Sequence, residues 1–132
     1  MNLLEAIKVR HTVRSYNGNA IEGDRLKDLQ DMIDAANREG GLHIQLVNGV
    51  ERAFSKFIIH YGKWENVTNY IALIGRDTSE LDQKCGYYGE HFVIWAITAG
   101  LKCGWLDTQN GKEVPEIDIA ENERLVCCIA IE

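Results

Sequence analysis

The sequence predicts an α+β fold in which helices pack against a central β-sheet. Residues 22–39 and 79–101 repeat apolar side chains at helical spacing. Asn69–Gly75 is an almost uninterrupted apolar run, which is typical of a central strand covered on both faces. The chain has 132 residues, 45% of them hydrophobic, which is enough for one buried core, so we expect a single domain spanning 1–132.

The first half of the chain is predicted to contain three helices and one strand. Residues 2–9 carry leucine and isoleucine at helical spacing and predict a short amphipathic helix. Residues 22–39 predict a longer helix ended by Gly40-Gly41, because glycine favours the left-handed conformation that closes helices. His43–Val47 alternates polar and apolar residues like a half-buried strand, and residues 53–61 favour a short helix.

The second half is predicted to supply most of the core. After the central strand, residues 79–101 form the longest apolar helix, with Gly100 near its end. Residues 102–108 are short and only partly apolar, and residues 109–112 are typical of a loop. Residues 124–131 predict a final β-rich strand, so the expected order is α, α, β, α, β, α, β.

The charge of the chain argues against two classes of partner. A net charge of -6 does not suit a nucleic acid or an anionic membrane, because both attract a field of cations. The longest apolar run, Phe92–Leu101, stops at Lys102 and is too short to cross a bilayer. The N-terminus also lacks the order of a signal peptide, so we expect a cytoplasmic protein.

The spacing of the cysteines and histidines predicts no metal site. The four cysteines show no C-x-x-C pattern, and the four histidines are dispersed along the chain. Cys127 and Cys128 are adjacent in an apolar run, so they are expected to point to opposite sides of a strand as small hydrophobic residues.

No motif that carries its own chemistry is present in the sequence. Walker, dinucleotide-binding and nucleophile-elbow patterns are all absent, so we predict no catalytic side chain. An enzyme without reactive groups of its own can still work by holding a cofactor.

Residues 8–16, with the sequence KVRHTVRSY, form a basic segment in this acidic chain. Arg10 and Arg14 are able to bind a phosphate through paired donors, and Thr12 adds a hydroxyl on the same face of an extended chain. The alternative is a solvated helix end, where arginines favour the negative end of the helix dipole. Composition alone leaves both interpretations open.

Residues 10–16, Arg-His-Thr-Val-Arg-Ser-Tyr, resemble the R-[RH]-[ST]-x-R-x-[FY] signature of the FMN-dependent nitroreductase family. Residues 86–106 are similar to that family's long central helix and to the glycine- and tryptophan-containing segment after it. The strands at residues 70–75 and 125–131 match in the same order, and the chain resembles most a compact subgroup of the family.

The resemblance implies a central, mostly antiparallel sheet flanked by helices, in an intertwined or closely packed homodimer. It also implies FMN at the subunit interface, reduced by NAD(P)H, with electrons passed to nitroaromatic, quinone or similar acceptors by ping-pong hydride transfer. The alternatives are a non-catalytic flavin- or ligand-binding protein on the same scaffold, or an incomplete fragment.

The resemblance further implies which residues bind the cofactor. Four residues of the basic segment would contact the FMN phosphate, ribityl chain and pyrimidine edge, with Arg14 assigned to that edge; a helix-end role is the alternative for His11. The stretch after the central helix would lie against the ring and offer a backbone N–H to the flavin N5. These candidate residues are Arg10, His11, Thr12, Arg14, Leu106, Asp107 and Thr108.

The chain departs from the family pattern in two places. Many relatives carry P-S-x-x-N-x-Q-P-W before the first long strand, with an Asn on the flavin, whereas residues 37–42 lack this pattern. Relatives usually continue past the last strand with a tail that adds basic phosphate ligands, whereas this sequence stops at Glu132. The resemblance therefore implies either a fragment or a reduced grip on the phosphate.

Overall fold

A computed structural model describes residues 3–9, 13, 15–50, 67–106 and 116–132. Within these ranges the helices and strands follow the order α1 (Leu3–Val9), α2 (Gly23–Gly40), β1 (Gln45–Val47), β2 (Tyr70–Arg76), α3 (Leu81–Thr98), β3 (Cys103–Leu106) and β4 (Glu123–Ile131).

The four strands form one sheet in the order β1-β2-β4-β3, and every neighbouring pair is antiparallel. The predicted α+β class with a mostly antiparallel central sheet is therefore confirmed. β2 is buried from Tyr70 to Gly75, as its apolar sequence predicts. The pairing of β2 with β4 shifts between Leu73 and Ile74, so that β4 contains one extra residue, Val126, in a β-bulge.

Alternate residues of the strands enter two separate apolar clusters, one on each face of the sheet. The helix-side core joins Leu29 and Ile33 of α2 and Phe92 of α3 to one face of the sheet. The opposite core lies on the other face and contains Tyr16, Val47, Val67, Tyr70, Ala72, Ile74, Leu106, Cys128 and Ala130. Cys127 packs against the helix-side core and Cys128 lies in the opposite core, which confirms that the two side chains point to opposite faces.

The two long helices end close to the glycines at which the sequence predicts their ends. Gly41 caps α2 in the left-handed conformation, with φ of 63°. After α3, Gly100 has φ of 79°, and the N–H of Leu101 returns to the carbonyl of Ala96 at 2.8 Å. Each glycine satisfies helix-terminal carbonyls while turning the chain toward the next strand.

The main difference from the predicted order is β3. This four-residue strand contains Gly104 and Trp105 and has no strand-like alternation of its own. Its conformation comes from pairing with β4, where Cys103 lies opposite Ile131 and Leu106 opposite Cys128. The predicted helix at residues 53–61 and the predicted loop at 109–112 lie outside the described residues.

The short helix α1 packs against α3 and leaves apolar side chains at the surface. Ala6 is fully buried, but Leu4 is 62% exposed and Ile7 is 53% exposed. In the part of the chain that the structure describes, no helix combines the length and apolar character needed to cross a membrane.

Candidate functional site

Of the seven candidate cofactor-binding residues, the structure describes one. Leu106 is the last residue of β3 and is buried in the opposite core. The other six, Arg10, His11, Thr12, Arg14, Asp107 and Thr108, lie outside the described residues. Their described neighbours nevertheless show how the basic segment and the segment after α3 are arranged.

Two described residues of the basic segment, Val13 and Tyr16, lie beside β3. The N–H of Val13 donates to the carbonyl of Cys103 at 3.0 Å. Tyr16 lies in the opposite core together with Leu106, and Val13 packs against the same cluster. The fold therefore brings Val13 and Tyr16 of the basic segment next to Cys103 and Leu106, which are distant in sequence.

Tyr16 is hydrogen-bonded to Val13 within the basic segment. Its hydroxyl donates to the carbonyl of Val13 at 2.7 Å, which fixes the distance between these two residues. Burial raises the pKa of the Tyr16 phenol well above its ordinary value, and the neighbouring Cys103 and Glu132 raise it further. The phenol therefore stays protonated, and remains a donor, at neutral pH.

The chain that leaves the basic segment is held by the carboxylate of Glu132. Both carboxylate oxygens accept the N–H of Asn17, at 2.9 and 2.8 Å, and one also accepts the N–H of Asn19 at 2.7 Å. The ammonium of Lys102 lies 3.1 Å from the other oxygen. Together with Arg25, these residues border a cavity of about 280 Å³.

The electrostatics of Glu132 follow from these contacts. Burial raises the pKa of its carboxyl, but the N–H groups of Asn17 and Asn19 and the charge of Lys102 outweigh burial. The net pKa lies below the ordinary value for glutamate, so the side chain is an anion at neutral pH.

Two asparagine amides, one of them buried, hold the next part of the chain. Asn69 is 1% exposed; its side-chain oxygen accepts the N–H of Gly49 at 2.8 Å and its nitrogen donates to the carbonyl of Asn19 at 2.7 Å. The Asn48 amide binds both the N–H and the carbonyl of Ile21, each at 2.9 Å. Neither anchor has a recognisable pattern in the sequence, because a single asparagine before a strand or a glycine is more typical of a turn.

A second tyrosine places a polar group at the surface of the opposite core. The hydroxyl of Tyr70 donates to a carboxylate oxygen of Glu116 at 3.4 Å. Burial raises the pKa of Tyr70 strongly, and the charge of Glu116 raises it further. Like Tyr16, this phenol is a neutral donor at physiological pH.

Two residues near the candidate segments have structural roles. One is Asn37, at the start of the stretch that departs from the family pattern, and the other is Trp105, in the segment after α3. The Asn37 side chain receives the N–H of Ile44 at 2.7 Å and donates to its carbonyl at 3.0 Å, so it joins the end of α2 to the chain before β1. Trp105 packs on the helix-side core, directly over Gly89 of α3. Trp105 is thus on the face of the sheet opposite to Tyr16.

The fold and the basic segment beside β3 define an α+β protein of the nitroreductase type. A family model described as "Putative TM nitroreductase" matches residues 2–131, so the chain belongs to this nitroreductase family. No protein with a curated description matches the chain.

Solved structures agree with this assignment. A nitroreductase family protein from Clostridium novyi NT superposes with a TM-score of 0.76 at 21% identity, covering 99% of this chain and 84% of that one. A nitroreductase with bound FMN from Bacteroides fragilis superposes with a TM-score of 0.71 at 19% identity, covering 99% of this chain and 87% of that one. An FMN-dependent nitroreductase from Clostridium difficile R20291 superposes with a TM-score of 0.68 at 14% identity, covering 97% of this chain and 85% of that one. At these identities the similarity establishes the fold.

Proposed function

We propose that the protein is an FMN-dependent oxidoreductase that takes electrons from NAD(P)H and passes them to nitroaromatic, quinone or similar acceptors. Membership of the nitroreductase family supports this proposal. Two of the similar structures are described as FMN-dependent or FMN-bound, which supports the choice of cofactor.

The hydrogen bond between Val13 and Cys103 is the observation that carries the proposal. It brings the basic segment next to the strand that ends in Leu106. The donor set fits FMN: Arg10 and Thr12 suit the phosphate, and Arg14 suits the electron-rich pyrimidine edge. Leu106 ends β3 in the same apolar cluster as Tyr16, against which Val13 also packs.

Each of these residues has a role in binding or orientation. When bound, FMN supplies the hydride exchange at its N5. Arg14 would stabilise the negative charge of the reduced form, and a backbone N–H from residues 106–108 would orient the cofactor at N5. We assign no side chain as an obligatory acid or base, because positioning and electrostatics are sufficient for hydride transfer.

We also propose that the protein acts as a homodimer, with its cofactor at the subunit interface. Leu4 and Ile7 project from the same side of α1 and are both more than half exposed. Large apolar side chains next to each other on a surface helix are typical of a contact with another protein. A second copy of this chain would bury them beside the basic segment, which follows α1 directly.

The visible spectrum of the purified protein tests the proposal. We expect an absorption band at about 450 nm after FMN is added and the excess removed, and we expect NADH or NADPH to bleach it. Addition of a quinone or nitroaromatic should then restore the band. Failure to retain FMN would contradict the cofactor assignment, whereas a retained flavin that neither nicotinamide reduces would indicate a non-catalytic binding protein.

Arginine substitutions test the assigned residues. Arg10→Ala and Arg14→Ala should each weaken FMN binding at least tenfold, since a charge-assisted hydrogen bond is worth about 1.5–3 kcal/mol. Arg38→Ala, an exposed arginine in the last turn of α2, is the matched control and should leave the affinity unchanged. Equal affinity in all three variants would show that the basic segment is a solvated helix end.

A further inference from the structure

A second cavity, of about 360 Å³, lies between the end of α2 and the first turns of α3. This volume is near the lower limit of the range for small-molecule sites. The residues of its wall that carry a charge or an aromatic ring are Glu39, Glu80, Lys84, Tyr87 and Tyr88. Tyr88 packs against the helix-side core, whereas Tyr16 and Leu106 lie in the opposite core. The cavity is therefore on the other side of the sheet from these two residues.

The two tyrosines of the cavity present ring faces at right angles to each other. Their ring centres are 5.0 Å apart, with an angle of 89° between the planes. Tyr87 is 61% exposed, yet its ring also meets the His91 ring edge to face, at 4.6 Å and 88°. Tyr88 lies so close over Gly40 that a Cβ atom there would come within 2.7 Å of the ring. Both rings are thus oriented by their neighbours, while that of Tyr87 remains accessible to a ligand.

The charge around these rings is negative. In the part of the chain that the structure describes, the carboxylates of Glu39 and Glu80 form no ion pair or hydrogen bond. The ammonium of Lys84 likewise has no ion-pair partner among the described residues, so it neutralises neither carboxylate directly. Glu39 and Gly40 also belong to the last turn of α2, which is the negative end of the helix dipole.

The charge of Glu39 acts on the Tyr88 ring itself. Burial raises the pKa of the Tyr88 phenol, and the charges of Glu39 and Tyr87 raise it further. The phenol is therefore neutral at physiological pH, and its ring lies in the field of a carboxylate. Such a ring attracts a cation both through its own quadrupole and through the neighbouring charge.

These features favour a cation that carries apolar groups of its own. Aromatic ring faces bind methylated and quaternary ammonium groups, whose methyl groups pack on the rings while the charge meets the quadrupole. A metal ion is less suited, because the described residues include no group of three or more His, Cys, Asp or Glu side chains able to hold one.

We propose that this cavity binds a small organic cation of the methylated or quaternary ammonium class. The cation packs against the ring faces of Tyr87 and Tyr88, and the carboxylates of Glu39 and Glu80 stabilise its charge. The inference goes beyond the proposed function, because it concerns a separate site and does not require FMN.

The experiment is a titration of the full chain with choline chloride, followed by the amide signals in two-dimensional NMR. Sodium chloride keeps the ionic strength constant, because salt screens exposed charges. We expect saturable shifts at the amides of Gly40, Lys84 and Tyr88, with a dissociation constant in the millimolar range. The matched control is 3,3-dimethylbutan-1-ol, which has the shape of choline without its charge and should cause no saturable shift.

Substitutions then separate the contributions of ring and charge. Tyr87→Leu should weaken choline binding about twofold to fivefold, whereas Tyr87→Phe keeps the ring face and should bind as the wild type does. Glu39→Gln and Glu80→Gln should each weaken binding, because each removes one negative charge from the wall. Asp31→Asn, on the exposed face of α2, is the control for a change of net charge and should leave the affinity unchanged.

Three results would overturn the inference. One is the absence of saturable shifts at the wall of the cavity in the wild type, and another is equal binding of choline and its neutral analogue. The third is an affinity for choline that neither Tyr87→Leu nor the two glutamate variants change. The amide spectrum itself reports whether each variant is folded, and the glutamate variants carry the test should Tyr87→Leu fail to fold. All three results would leave the proposed flavin chemistry unaffected.

Discussion

Both carboxylate oxygens of Glu132 accept the backbone N–H of Asn17, at 2.9 and 2.8 Å. The contact joins the residue that follows β4 to the residue that follows the basic segment, so it crosses nearly the whole length of the chain. Since the same carboxylate also meets Lys102, one side chain connects the N-terminal stretch to the end of β4 and to the residue before β3.

Glu132 should make the stability of the protein depend on pH in the acid range. Its pKa in the folded state is lowered, so the carboxylate stabilises the fold fully above its unfolded-state pKa of about 4.3 and progressively less as pH falls toward the folded value. We expect Glu132→Gln to reduce the free energy of unfolding by about 1–3 kcal/mol at neutral pH. The difference from wild type should shrink below about pH 4.3.

Urea unfolding of both proteins across this pH range measures the effect. Asp31→Asn is the control, because the exposed Lys27–Asp31 pair should contribute at most about 0.5 kcal/mol. A difference between wild type and Glu132→Gln that stays constant from neutral to acid pH would show that the charge of Glu132 is not what holds Asn17.

Asn69 should be among the polar residues on which the fold depends most. Asn69→Leu would leave the N–H of Gly49 and the carbonyl of Asn19 without their partners in the interior. Each orphaned buried group costs about 1–3 kcal/mol, so we expect a loss of about 3 kcal/mol or more in the free energy of unfolding. Denaturant titration checks this value, with the exposed Asn122→Ala as the near-neutral control.

The fold could be predicted from the sequence wherever a segment carries its own pattern. The periodicity of α2 and α3 and the apolar run of β2 each reflect burial along one continuous element, and the structure confirms all three. β3 could not be predicted in this way, since Cys103–Leu106 becomes a strand only by pairing with β4. The local sequence pattern of a segment does not indicate which distant strand will pair with it.

The candidate site, too, could be predicted only in part from the sequence. The basic segment was recognisable because its charge and spacing match a family signature, and its contact with β3 is consistent with that interpretation. The side chains that hold its end and the residues after it, Lys102, Glu132 and Asn69, had no signal in the sequence. Each is a common polar residue whose role arises from contacts between segments far apart in the chain.

The exposed side of α1 should determine the oligomeric state. Leu4→Glu and Ile7→Glu place a charge where we propose that a second copy packs. Burial of one such side chain contributes about 1.5–3 kcal/mol, so each variant should weaken dimerisation at least tenfold. Sedimentation velocity over a range of concentrations measures this change, and Lys27→Glu on the exposed face of α2 is the control. A wild type that sediments as a monomer at all concentrations would contradict the proposal.

The buried thiol of Cys85 should be unreactive in the folded protein. Burial raises its pKa to about 11, with Asp82 adding to the rise and Arg124 opposing it. Because the thiolate is the nucleophile, we expect iodoacetamide at about pH 8 to leave Cys85 unmodified in the native state and to label it in concentrated urea. Peptide mass spectrometry measures the labelling. Rapid labelling of Cys85 in the native protein would contradict the prediction and would show that this end of α3 opens readily.

Two glycines of α3 should respond in opposite ways to the same substitution. In Gly89→Ala, the new methyl group would collide with the Trp105 ring and approach Leu73 to 3.1 Å, whereas in Gly86→Ala it would meet nothing within 4 Å. We expect Gly89→Ala to destabilise the protein by about 1–3 kcal/mol through overpacking. Gly86→Ala should stabilise it by up to about 1 kcal/mol, because alanine favours the helix over glycine. Thermal and denaturant unfolding of the two variants would separate packing from helix propensity, since equal stabilisation of both would mean that Trp105 does not pack on Gly89.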